Sequence, residues 1–101
     1  MGYAWIITKD CLNNEEIFIT GPGNNPDSAK VDAWIGILEK GGGEAFKLYD
    51  DDGTLNLTGR FIEDGDNGED CFGPLDDYGT PSYGCTGIKY RNKTTGKWEF
   101  V

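Results

Sequence analysis

The chain of 101 residues contains no histidine. That absence removes the commonest general base, the usual partner of a Ser or Cys nucleophile, and the imidazole ligand of most zinc sites. Cysteine is scarce: Cys11, Cys71 and Cys85 are odd in number and show no CxxC spacing. Such a set fits a reducing compartment better than a disulfide framework, although a Cys71 to Cys85 bridge stays open. A structural zinc site would need all three thiolates plus a carboxylate, an unusual set. No apolar run approaches the ~18 residues of a membrane span, and Met1-Gly2-Tyr3-Ala4-Trp5-Ile6 lacks the basic stretch of a signal peptide. The expected location is therefore the cytoplasm, with no membrane partner. Cations are few: nine Lys and Arg stand against eighteen Asp and Glu, a net charge of −9. A charge of that sign repels phosphates and argues against direct nucleic-acid binding.

What the chain does have is concentrated acidity. Ten of the eighteen carboxylates fall between Asp50 and Asp77, a stretch whose only basic residue is Arg60. A one-sign patch costs stability through self-repulsion, and its uses are solubility, cation binding or contact with a positively charged partner.

Length and composition allow one domain, residues 1–101, with a single modest core. Tyr3, Trp5 and Ile7 alternate with Ala4, Ile6 and Thr8, and Ile17-Phe18-Ile19-Thr20 follows a polar turn, so two strands are expected at the start. Asn25-Pro26 supplies an N-cap followed by Pro at the first helical position. Val31, Trp34, Ile35 and Leu38 then recur at helical spacing, and Gly41-Gly42-Gly43 ends the helix, predicted from about Pro26 to Lys40. Phe46 and Leu48 oppose Lys47 and Tyr49 in a strand that turns at Asp50-Asp51-Asp52-Gly53 into Leu55 to Phe61. A last hairpin is expected to place Ile88 and Tyr90 in phase with Trp98 and Phe100 across Asn92-Lys93-Thr94-Thr95-Gly96. The fold class that follows is α+β: a single helix packed on a twisted antiparallel sheet in β-β-α-β-β-β-β order, with one sheet face covered. Between the last two hairpins, Glu63 to Gly87 shows no periodicity and is expected to be an ordered loop pinned by Cys71, Phe72, Leu75, Tyr78 and Tyr83.

Each candidate site has a plain competitor. Asp50-Asp51-Asp52-Gly53 fails the EF-hand spacing, because Leu55 stands where glycine is needed, and it is better read as turn chemistry. Asp64-Gly65-Asp66-Asn67-Gly68-Glu69-Asp70 offers oxygen ligands and glycines that could curl round a calcium ion, against the commoner solvated acidic loop. Adjacent carboxylates such as Asp76 and Asp77 diverge, so no acid–base pair is implied and no enzyme is expected. Trp5, Trp34 and Trp98 are expected in the core rather than on a stacking platform. The seven carboxylates from Glu63 to Asp77 could imitate a polyanion, since same-face residues on an extended segment repeat every ~6.6 Å.

Two segments are familiar: Phe46-Lys47-Leu48-Tyr49-Asp50-Asp51-Asp52-Gly53 running on to Gly59-Arg60-Phe61, and Phe72-Gly73-Pro74-Leu75-Asp76-Asp77-Tyr78-Gly79 running on to Gly84-Cys85-Thr86. They resemble small uncharacterised acidic domains of bacteria and phages, a resemblance that covers roughly the last sixty residues and brings no catalytic motif. In composition the chain is similar to phage anti-CRISPR proteins. The acidic surface, together with that likeness, points to a non-enzymatic, cofactor-free inhibitor of a basic nucleic-acid-binding partner, such as a CRISPR-Cas effector subunit, acting by polyanion mimicry or steric blocking. The contact residues would be Asp50, Asp51, Asp52, Glu63, Asp64, Asp66, Glu69, Asp70, Asp76 and Asp77. The alternatives are a calcium-binding module built on Asp64, Asp66, Asn67 and Asp70, and a housekeeping domain whose acidity serves solubility.

Overall fold

The computed structural model describes residues 3–21, 28–63 and 71–101. Its six strands, β1 (Tyr3–Asp10), β2 (Glu15–Gly21), β3 (Glu44–Tyr49), β4 (Leu55–Glu63), β5 (Gly87–Arg91) and β6 (Trp98–Phe100), form one antiparallel sheet in the order β2-β1-β4-β3-β5-β6. Helix α1 (Ser28–Glu39) joins β2 to β3. The expected α+β class is therefore present. The single-helix expectation is not: between β4 and β5 the chain forms a π-helical turn, Leu75–Gly79, running into a short helix α2 (Thr80–Tyr83). The anticipated helix start at Asn25-Pro26 lies outside the described residues.

That second helical segment changes the layering. The larger core lies on the sheet face away from α1, where Trp5, Ile7, Phe46, Leu48, Leu57, Phe61 and Ile88 are buried with Leu75 and Cys85 from the 71–86 segment. Tyr78 and Tyr83 of the same segment pack against this cluster. The smaller core joins Ala4 and Ile6 to Val31 and Leu38, with Trp34, Ile35 and Ile62 packed alongside. Both faces carry a packed layer, not one, although α1 covers only the β1 and β4 part of its face. Strand β1 shows why, because Ala4, Trp5, Ile6 and Ile7 are all buried in succession, the pattern of a strand sandwiched between layers.

Local chemistry sets the ends of these elements. At the end of α1, Gly42 N–H donates to Ile37 O at 2.9 Å and Gly41 N–H to Leu38 O at 3.0 Å, with Gly41 at φ 87°. This Schellman closure needs a left-handed residue, which glycine supplies without a Cβ clash. The β3–β4 register slips by one residue between Leu48 and Tyr49, so Asn56 is the extra residue of a bulge. Asn56 therefore turns inward beside Leu57 instead of alternating outward, and its Nδ2 donates to Cys85 Sγ at 3.3 Å. Among the described residues its Oδ1 has no hydrogen-bond partner.

Gly59 sits in β4 between Ile7 of β1 and Phe46 of β3. A Cβ there would collide with the Ile6 carbonyl oxygen and stand 2.7 Å from Phe46 Cζ. Because one obstacle is backbone, Gly59→Ala is expected to cost ~1–3 kcal/mol by overpacking. Urea denaturation checks this; an unchanged midpoint would show that β1 and β4 are less closely apposed than described.

Candidate interaction surfaces

The predicted acidic residues do not form one patch. Asp50, Asp51 and Asp52 lie in the β3–β4 turn, beyond one end of β4, and Glu63 closes its other end. Eight residue steps from Leu55 to Glu63 separate the two by roughly 26 Å at ~3.3 Å per residue. Asp77 belongs with Glu63, since it contacts Tyr3, the cross-strand partner of Glu63. Asp64, Asp66, Glu69 and Asp70, together with Asn67 of the calcium alternative, lie outside the described residues. Among the described residues no group of three or more Cys, Asp or Glu is placed to hold a metal ion.

Among the described residues of the predicted contact set, Asp50 and Asp77 bond within the fold. Asp50 Oδ1 accepts from Asp52 N and Thr54 N, both at 3.0 Å, while Gly53 takes φ 76°. This is the turn chemistry read from the sequence, and it leaves Asp51 and Asp52 exposed at the tip. Asp77 Oδ2 accepts from Tyr3 Oη at 2.6 Å and Trp5 Nε1 at 3.1 Å, tying the π-helical turn to the start of β1. Asp76 beside it is exposed. Because Asp76 and Asp77 lie in a helical turn, the extended row of carboxylates expected through Asp77 is not formed there.

A carboxylate outside the predicted set, Asp10, is bonded more heavily than Asp50 or Asp77. It is buried at the end of β1 and accepts from Leu12 N, Asn13 N, Asn13 Nδ2 and, at 2.8 Å, Tyr83 Oη. The Asn13 and Tyr83 hydrogen bonds hold its carboxyl below the usual 3.8, against burial. The same bond raises Tyr83 from 10.0 to about 12, with burial adding to it. The signs follow from linkage. The Asp10 contribution is present above its unfolded value and is lost as pH falls through the lowered folded one. The Tyr83 contribution is present below pH 10 and is lost as pH rises towards about 12. Wild type is thus expected to lose more melting temperature between those limits than Tyr83→Phe does; parallel losses in a pH series would show that Tyr83 is not tied to Asp10.

No disulfide joins Cys71 to Cys85, and burial pushes the Cys85 thiol up. Cys71 serves through its carbonyl, which accepts from Tyr90 Oη at 2.7 Å.

The least expected surface is the part of the α1-side sheet face that α1 leaves open. Register pairs Arg91 with Trp98 and Lys89 with Phe100. Trp98 and Phe100 therefore share a face with the cations, correcting the expectation that they follow Ile88 and Tyr90. Lys47 lies opposite Lys89, and Arg60 opposite Ala45. The Lys47 ammonium stands 4.2 Å from the Trp98 ring centroid, and that of Lys89 stands 4.9 Å from Tyr49 and 4.6 Å from Phe100. Trp98 is half-buried here and outside both cores, unlike Trp5. A groove of about 630 Å³ crosses this face from Phe18 past Thr58 and Lys47 to Trp98.

Comparison with protein-family models, with curated proteins and with solved structures gives no match to this chain. No helix among the described residues is long and apolar enough to cross a membrane.

Proposed function

We propose that the chain is a non-enzymatic interaction protein that blocks a basic nucleic-acid-binding partner with carboxylates displayed at the two ends of its sheet. The observation that carries this reading is the segregation of charge. Four of the nine cations, Lys47, Arg60, Lys89 and Arg91, are gathered on one sheet face, whereas Asp51 and Asp52 are exposed at the hairpin tip. Uncompensated charge of this kind steers a basic partner by its long-range field and fixes orientation on contact. The compositional likeness to phage anti-CRISPR proteins favours a CRISPR effector subunit as that partner. Division of the carboxylates between two ends favours steric and electrostatic blocking over imitation of one continuous polyanion.

The test is retention of a host protein on the immobilised chain. A nucleic-acid-binding protein should be held at low salt and released by duplex DNA and by added salt, as screening shortens the Debye length to ~8 Å at physiological ionic strength. Retention unaffected by both DNA and salt would remove the electrostatic basis of the reading.

A further inference from the structure

The cationic face sets a second problem, since like charges directly opposite one another destabilise a sheet, and this chain has few cations to place. Lys47 nevertheless opposes Lys89 across β3 and β5. Beside them Arg60 and Arg91 flank Ala45, whose small side chain leaves a notch of about 230 Å³ lined by Gly43, Ala45, Arg60, Arg91 and Lys93. No carboxylate lines it. Arg60 is held in place: its Nε donates to Gly42 O at 2.7 Å and its Nη2 to Gly43 O at 3.1 Å. The remaining guanidinium hydrogens stay available, so the notch has one fixed fork and two exposed, adjustable cations.

We propose that this notch is a binding site for the phosphoryl groups of a small ligand, with Arg60 and Arg91 as paired forks and Lys93 as a third charge. Planar guanidinium groups match phosphate oxygens two at a time, which a single lysine cannot do. The ligand is small because a compact anion feels mainly the local field of the notch, whereas a long polyanion or a second copy of this chain also meets the net charge of −9. Phosphoryl groups of this kind come either from inorganic pyrophosphate or from a nucleotide, whose ring would lie towards Trp98, the cross-strand partner of Arg91. This site is separate from the acidic ends and stands or falls independently of them.

The experiment is a two-dimensional amide NMR titration of the whole chain with pyrophosphate and with ADP, both without metal. Saturable shifts centred on Ala45, Arg60 and Arg91 are expected. Arg91→Gln with Lys93→Gln should weaken binding about tenfold or more, whereas Lys9→Gln with Lys97→Gln, the same change in net charge, should not. Both pairs are exposed, and unchanged melting temperatures would show that they fold. Tighter binding of ADP than of pyrophosphate supports the nucleotide source, and equal binding supports the inorganic one. Three results would overturn the site: no saturable shift at millimolar ligand, equal loss in both variant pairs, or a single-stranded oligonucleotide bound far more tightly than ADP.

Discussion

Phe46→Ala is expected to destabilise the protein by ~3–5 kcal/mol, through lost burial and the cavity left behind. Phe46 is fully buried in β3, above Gly59 and against the edge of Tyr90, whose ring centroid lies 6.1 Å away. Its surroundings cannot collapse easily, because Leu48 and Leu57 beside it are held by strand pairing and Leu75 roofs the same cluster. A cost near the upper limit is therefore expected, measured as a shift in urea midpoint at unchanged slope. A cost below that of a surface substitution would mean that the 71–86 segment does not close this face.

Leu38→Ala, on the opposite face, is expected to cost ~2–5 kcal/mol, towards the lower end of that range. Leu38 is 1% exposed, but its cluster is the smaller of the two, with Ala4, Ile6 and Val31 buried beside it, so less packing is lost. The ordering Phe46→Ala above Leu38→Ala distinguishes this fold from one in which a helix covers the sheet's only buried face. In that arrangement Leu38 would stand at the centre of the main core, and the ordering would reverse.

Much of this arrangement is written locally. The Val31, Trp34, Ile35 and Leu38 stripe places α1, the Asp50 turn places β3 beside β4, and the Asn92 loop closes β5 on β6, with Asn92 Oδ1 accepting from Thr94 N and Thr95 N. Alternation in the last hairpin misleads because it is satisfied in either phase. The loop length decides: Arg91 pairs with Trp98, so even-numbered residues of β5 face odd-numbered residues of β6, and Trp98 falls in with the cations. The second covering layer was illegible because Gly73, Pro74, Gly79, Pro81 and Gly84 read as loop punctuation. Its helical turn is fixed by tertiary bonds, notably Asp77 to Tyr3 and Trp5, across more than seventy residues of sequence. For the same reason the acidic run looked continuous: sequence proximity joins Asp52 to Glu63, while β4 carries them to opposite ends of the sheet.

The proposed function is tested most directly by the affinity of the captured partner for two charge variants. One is Asp51→Asn, Asp52→Asn and Asp76→Asn, which removes exposed carboxylates from both ends and spares Asp10, Asp50 and Asp77, whose carboxylates hold the fold. The other is Arg91→Gln with Lys93→Gln. The first variant should bind about tenfold or more weakly and with a smaller salt dependence, while the second should bind as wild type does or more tightly. Unchanged binding by the carboxylate variant, with loss in the cation variant, would contradict the acidic-end reading and move the contact to the open face of the sheet.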